Sequence, residues 1–145
     1  MPTNRPLRET LNRVPDGPGV YLMKDAAGAV IYIGKARSLA RRVRSYFARP
    51  SDERTARMVA RVAAIETIPV ASDAEALLLE NRFIKEMQPR FNVNLKDGKT
   101  YPYVKITREE FPRVSIVREK PSRGGRYFGP FSDVRTLRKV LQFLL

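Results

Sequence analysis

A chain of 145 residues with 43% hydrophobic and 30% charged side chains can bury one core with a small appended subdomain, and it holds no apolar run long enough to cross a bilayer. It has no cysteine and no histidine, which removes disulfides, thiolate nucleophiles, imidazole bases and the usual zinc sites, so a catalytic base has to be Tyr, Lys or a carboxylate. The net charge of +13 calls for a polyanionic partner and leaves DNA, RNA and ribosome open.

Arg5 and Arg8 are followed by Glu9, Asn12, Arg13 and Asp16 rather than by an apolar stretch, so no secretory leader is read and a cytosolic location is expected. Leu7, Leu11 and Val14 recur at helical spacing and predict a short helix over 7–14 that Pro15 stops. Val20-Tyr21-Leu22-Met23 and Val30-Ile31-Tyr32-Ile33, with turn residues from Asp25 to Gly28 between them, predict a β-hairpin. A connection through Ala26 and Ala27 alone sets Tyr21 opposite Tyr32 and Gly19 opposite Gly34, with both phenols on one face; this is the expected register. The alternative, a type I turn with a bulge at Gly28, sends the two rings to opposite faces.

Ser38 is a good N-cap, and Leu39, Val43 and Phe47 mark the apolar face of the helix it opens, with Ala40 and Tyr46 beside them. Arg42 lies at the border of that face, four residues from Tyr46, while Arg41 and Arg44 point away. A second helix is predicted from Asp52 to about Ala64, with Met58, Val62 and Ile65 inward and an Arg54, Arg57, Arg61 stripe outward. Glu66 to Ala71 reads as a strand that Pro69 confines to a sheet edge or a strand end. Ser72-Asp73-Ala74-Glu75 has the capping-box pattern of a helix running to Gln88, ahead of Pro89.

On that helix Glu80 has Ala76, Leu77, Phe83 and Ile84 at its nearest positions, the most apolar company of any acid there. A carboxylate so placed needs a compensating cation, and the pattern leaves an ion pair with an arginine such as Arg42 and a metal ion equally open. Asn92 by itself reads as a turn residue. Beyond it come a basic turn at Lys96-Asp97-Gly98-Lys99, strands at 103–107 and 113–118, a basic loop over 120–126, and a last helix capped by Ser132-Asp133. The apolar tail from Val140 to Leu145 lacks a C-cap glycine and reads as the end of a truncated piece.

Gly19-Val20-Tyr21 and Tyr32-Ile33-Gly34 resemble the paired signature of the GIY-YIG endonucleases, with Val in place of Ile. Tyr32 to Leu39, Arg42 to Phe47, Glu75 to Lys85, Pro89 to Asn92, Lys99 to Tyr103 and Gly129-Pro130-Phe131 extend the similarity to the N-terminal nuclease domain of the UvrC family, over nearly the whole chain. The resemblance implies an α/β (α+β) GIY-YIG fold: a small three-stranded, mainly antiparallel sheet flanked by helices over 1–98, then an appended β-hairpin and helix over 99–145.

It implies Tyr21 and Tyr32 at the attacking water, Lys35 and Arg42 near the scissile phosphate, Tyr46 packed alongside, Asn92 as a positioning group and Glu80 as protein ligand of one divalent ion, Mg²⁺ or Mn²⁺. Which phenol is the base stays undecided by sequence, with Tyr21 slightly preferred. Arg37, Arg41 and Arg44 are the candidate DNA contacts. The family context implies a monomer that works on damaged double-stranded DNA with UvrA and UvrB, incising 3′ of the lesion in nucleotide excision repair. The competing readings are a basic binding module that does not cut and a stand-alone nuclease of the same fold.

Overall fold

The structure is a computed structural model that describes residues 5–49, 52–94, 101–119 and 121–144. The expected basic turn at Lys96 to Lys99 lies outside the described residues, as do Pro50, Ser51 and Lys120. The chain divides into two compact units, Met1–Asn94 and Leu95–Leu145, a few residues ahead of the expected 98/99 boundary. Among the described residues no helix is long and apolar enough to cross a membrane.

The first unit is built on β1 (Gly19–Lys24), β2 (Val30–Ala36) and β3 (Ala64–Pro69), in the order β2-β1-β3 with both pairings antiparallel. Alternation along these strands gives the sheet two apolar faces. Tyr21, Met23 and Ile31 pack with Leu7 and Leu11 of α1 (Arg5–Arg13), Val43 and Phe47 of α2 (Leu39–Ala48) and Met58 of α3 (Glu53–Arg61). Val20, Leu22 and Ile33 pack on the other side with Ala76 of α4 (Asp73–Met87). β3 is an edge strand and Pro69 its last residue, where a missing N–H costs no ladder bond.

The hairpin register differs from the expected one. Tyr21 pairs with Gly34, Gly19 with Ala36 and Tyr32 with Met23. The loop does use the Gly28 turn: Gly28 N–H donates to the Asp25 carbonyl at 3.0 Å, Gly28 sits at φ +85°, and the Asp25 carboxylate accepts from Ala27 and Ala29. That turn alone would part the rings. A second shift between Met23 and Lys24, where Lys24 pairs with Val30 and Met23 with Tyr32, leaves Ile31 as an extra residue and restores the parity. Tyr21 and Tyr32 therefore do share a face, diagonally rather than opposite.

Ser38 caps α2 as expected, its Oγ accepting from Arg41 N–H at 3.4 Å. The Asp52 carboxylate caps α3, which ends at Arg61 rather than Ala64, because Ala63 N–H is drawn to the Lys24 carbonyl and β3 starts at Ala64, two residues earlier than expected. Ser72 caps α4, with Glu75 reaching back to Ala71 N–H at 3.0 Å. The helix ends on Gln88 in the left-handed region at φ 46°, a conformation that penalises any side chain with a Cβ. Gln88→Gly is expected to stabilise the protein by about 0.5–1 kcal/mol, read as a higher urea midpoint at unchanged slope.

In the second unit the expected hairpin, β4 (Tyr103–Thr107) and β5 (Val114–Val117), is present, but β4 also pairs with β6 (Gly125–Phe128), which falls within and just beyond the stretch expected to be a loop. Gly125 fits there because a Cβ would stand 2.7 Å from the Ile106 carbonyl oxygen. Tyr127 and Phe128 suit a strand, while Gly125-Arg126 ahead of them read as loop and join it through pairing with β4. Asp133 caps α6 (Val134–Leu144) by accepting from the N–H groups of Arg135 and Thr136.

Candidate active site

Three phenols from three elements meet on one face of the first sheet: Tyr21 from β1, Tyr32 from β2 and Tyr46 from α2. Their ring centroids are 5.8 to 6.3 Å apart, and the Tyr21 and Tyr46 hydroxyls are hydrogen-bonded at 2.7 Å. Tyr21 is 1% exposed, while Tyr32 stays partly open to solvent. The register explains Gly34: the Tyr21 phenol lies across it, in the space a Cβ would fill. Gly34→Ala should push that ring off its partner and destabilise the unit by about 1–3 kcal/mol. Chemical denaturation measures the loss, and because the Tyr21 ring carbons crowd the position as closely as the hydroxyl does, Gly34→Ala/Tyr21→Phe is expected to recover little of it.

Burial pushes the Tyr21 hydroxyl well above the usual phenol range, and Tyr32 and Tyr46 beside it add to the effect. Tyr32 is raised too, by burial first, then by Tyr46 and by the negative charge of Glu80. Arg42 pulls both down only in part; its guanidinium carbon stands 4.9 Å from the Tyr46 ring centroid. Both phenols are therefore protonated at neutral pH, and making a phenolate requires more positive charge than Arg42 supplies.

Glu80 is 5% exposed on α4, in the apolar company the sequence gives it, and close enough to Tyr32 for its charge to be felt there. Asp73 lies two helical turns away, about 10 Å along the axis, so the two acids cannot share one ion. Among the described residues no group of three or more His, Cys, Asp or Glu gathers anywhere. A single carboxylate beside hydroxyl groups suits a hard ion such as Mg²⁺, which keeps several waters and takes one or two protein carboxylates.

Asn92, in the short helix α5 (Arg90–Asn94), is not a turn residue: its amide accepts from Ile33 N–H and donates to Ile33 C=O, each at 2.8 Å. It clamps the outer edge of β2 between Tyr32 and Gly34 and so holds Tyr32 from behind. Nothing in a local sequence window announces a contact over this separation.

The cationic candidates divide. Arg42 joins the phenols. Lys35 pairs with Val20 and so leaves β2 on the face opposite Gly34 and the tyrosines. Arg44 is turned onto the end of α1, with Nε donating to the Leu11 carbonyl at 3.1 Å, so the expected DNA contact is engaged as a helix cap. Arg37 pairs with Asp73 at 2.7 Å, and Arg41 is exposed. Asp73 is a site neighbour that sequence reading left as a capping residue; its position seven residues before Glu80, on the same helix face, was the available signal.

Residues 17–93, which carry all of these groups, match the family model of the UvrC-like GIY-YIG domain. The chain belongs to the UvrC-like GIY-YIG family. Residues 101–145 match the UvrC/Cho excinuclease middle domain, which covers the second unit. Similar curated proteins are UvrABC system protein C of Chlorobium phaeobacteroides, 52% identical over 133 residues, and of Moorella thermoacetica, 52% identical over 139 residues. The matches take in 90% and 95% of this chain but 21% and 23% of those proteins, so the chain spans under a quarter of their length.

Among solved structures, the magnesium-bound GIY-YIG N-terminal endonuclease domain of UvrC from Thermotoga maritima is 39% identical, with a TM-score of 0.56, covering 61% of this chain and 97% of that one. The first GIY-YIG triplet reads Gly19-Val20-Tyr21 here. Val20 is fully buried in the layer on the α4 side, so any β-branched residue of about that size serves. Gly19 faces the Leu39 side chain and the Ile68 carbonyl, 2.5 and 2.6 Å from where a Cβ would stand. The two glycines of the family signature thus answer to close packing, and the two tyrosines meet in the phenol cluster.

Proposed function

We propose that this chain is a metal-dependent DNA endonuclease domain that hydrolyses a phosphodiester in nucleotide excision repair, making the 3′-side incision of a UvrABC-type system with UvrA and UvrB on damaged duplex DNA. The observation that carries the reading is a cluster of three phenols and an arginine with a buried carboxylate, Glu80, near enough for its charge to act on Tyr32. The similar Thermotoga maritima domain is described as bound to its catalytic divalent cation, magnesium, and the same ion is the one proposed here, with Mn²⁺ as a substitute.

Glu80 would hold the ion, which when bound supplies Lewis-acid charge for the phosphate oxygens and offsets the carboxylate charge that adds to burial and Tyr46 in keeping Tyr32 protonated. Tyr32 is the better candidate base than Tyr21, because it is partly open to solvent while Tyr21 is fully enclosed. In its phenolate form Tyr32 takes a proton from the attacking water at its own oxygen. Arg42 adds positive charge for the pentavalent phosphorus, and Asn92 fixes the strand that carries Tyr32. The departing oxygen leaves with a proton from solvent. All of these groups come from one chain, so a monomer suffices.

The test is relaxation of supercoiled, ultraviolet-damaged plasmid by this chain with UvrA and UvrB present. Nicking in Mg²⁺ or Mn²⁺ that stops in EDTA is expected. Undiminished nicking in EDTA would overturn the metal dependence. DNA binding with no nicking in either ion would favour the second reading, a basic module that holds nucleic acid without cutting, which the net charge of +13 supports as well.

A further inference from the structure

Beside the phenols opens a cleft of about 370 Å³ lined by Ala36, Arg37, Ser38, Arg41, Arg42 and Ser45. Ser38, Arg41, Arg42 and Ser45 fall on one stripe of α2, and Arg37 enters from the end of β2. Three arginines line this space and no acid does. The backbone N–H groups that open α2 are already engaged: Leu39 with the Gly17 carbonyl, Ala40 with the Pro15 carbonyl and Arg41 with the Ser38 hydroxyl. An anion here would be held by side chains, with the Ser38 hydroxyl still able to donate its own hydrogen.

The three arginines differ in what they do in the free protein. Arg42 leans on the Tyr46 ring, and the Arg41 side chain pairs with no acid among the described residues. Arg37 is held by Asp73 Oδ2 at 2.7 Å, yet its side chain is 69% exposed. Asp73 Oδ1 is buried and has no hydrogen-bond partner, so this carboxylate grips the arginine through one oxygen only rather than through the two-bonded fork of a strong Arg–carboxylate pair. Asp73 also opens α4, whose positive end stabilises the carboxylate when the arginine leaves. The pair is weak on one side and released at small cost on the other.

We propose that the cleft is a second backbone-phosphate subsite, next along the strand from the phosphate at the phenols, and that Arg37 passes from Asp73 to that phosphate when duplex DNA binds. The inference rests on the nucleic-acid reading above and goes beyond it in assigning the subsite and the exchange. One turn of α2 separates Arg42, at the phenols, from Ser38, so successive phosphates of one strand can be served along a single stripe. Planar guanidinium groups suit phosphate oxygens better than ammonium groups do. Asp73 acts as an internal competitor: it keeps Arg37 oriented and makes the subsite less attractive to stray anions than to a strand already anchored at Arg42.

The experiment is fluorescence anisotropy of a labelled DNA duplex with the full 145-residue chain in EDTA, across a salt series, where no cutting occurs. Arg41→Ala and Arg37→Ala are each expected to lower the slope of log affinity against log salt by about one. Asp73→Asn is expected to tighten binding by about two- to fivefold, and this gain should vanish in an Arg37→Ala background. If Asp73→Asn loses its fold by circular dichroism, Asp73→Ser, which also suits a helix start, replaces it. Unchanged affinity on removing the Asp73 charge, or a gain that persists without Arg37, overturns the exchange; unchanged slopes for both arginine variants overturn the subsite. Wild-type protein that binds no duplex overturns the nucleic-acid reading itself, whereas a Glu80→Gln variant that still nicks overturns only the metal site and leaves the subsite standing.

Discussion

Glu80→Gln is expected to leave the protein folded and to slow DNA nicking in Mg²⁺ by roughly two to three orders of magnitude, the range seen when one electrostatic group aimed at a reacting centre is removed. The substitution keeps the volume and removes the charge. Glu80 is 5% exposed, so the fold of Glu80→Gln is checked by circular dichroism and its thermal midpoint without metal, which separates a loss of activity from a loss of fold. A cation-held carboxylate and a purely structural one then part company. If Glu80 serves only packing, Glu80→Gln nicks like the wild type, and added Mg²⁺ raises the thermal midpoint of both proteins equally. If it holds the ion, the Mg²⁺-dependent stabilisation disappears along with the activity, because an ion bound only by the native state stabilises it by mass action.

Alkaline stability is expected to fall steeply above pH 10, and the two buried phenols set the slope. Their hydroxyls are raised in the folded state, above the reference value near 10 that they regain on unfolding. Below pH 10 both states are protonated and the term is constant. Above it the unfolded chain releases protons that the folded chain keeps, so unfolding becomes easier as pH climbs towards the folded values. Each phenol contributes a slope of about 1.4 kcal/mol per pH unit, and the pair about twice that. Urea unfolding at pH 9.5, 10.5 and 11 should show the wild type losing stability faster than Tyr21→Phe/Tyr32→Phe, with the difference between the two proteins cancelling the common titration of lysines. Parallel curves would mean that the phenols ionise as readily in the native state as in the unfolded one, which contradicts their enclosure.

Much of the first unit was legible because its signals are local. Ser38, Asp52 and Ser72 each cap a helix through a side chain three residues from the N–H it serves, and the apolar spacing of Leu39, Val43 and Phe47 names the face that is buried. The burial of Glu80 was readable from its four helical neighbours. The hairpin was readable as a hairpin, but its register was not, since an extra residue at Ile31 compensates the Gly28 turn and neither shift is visible in the alternation of so short a stretch. β6 was missed because Gly125 and Arg126 become a strand only when β4 is there to pair with.

By itself the sequence determined the inventory: no thiol or imidazole, an excess of positive charge, two glycine-and-tyrosine triplets and one acid in apolar company, with helices placed by caps and period. Only the tertiary structure decided which groups share space. It put the Tyr46 hydroxyl on Tyr21, both Asn92 amide atoms on Ile33, Arg44 on the end of α1 and Arg37 on Asp73. The reason is physical: caps and periodicity act within a turn or two of the chain, whereas these contacts join segments tens of residues apart, and their partners are chosen by strand register and layer packing rather than by neighbours in sequence.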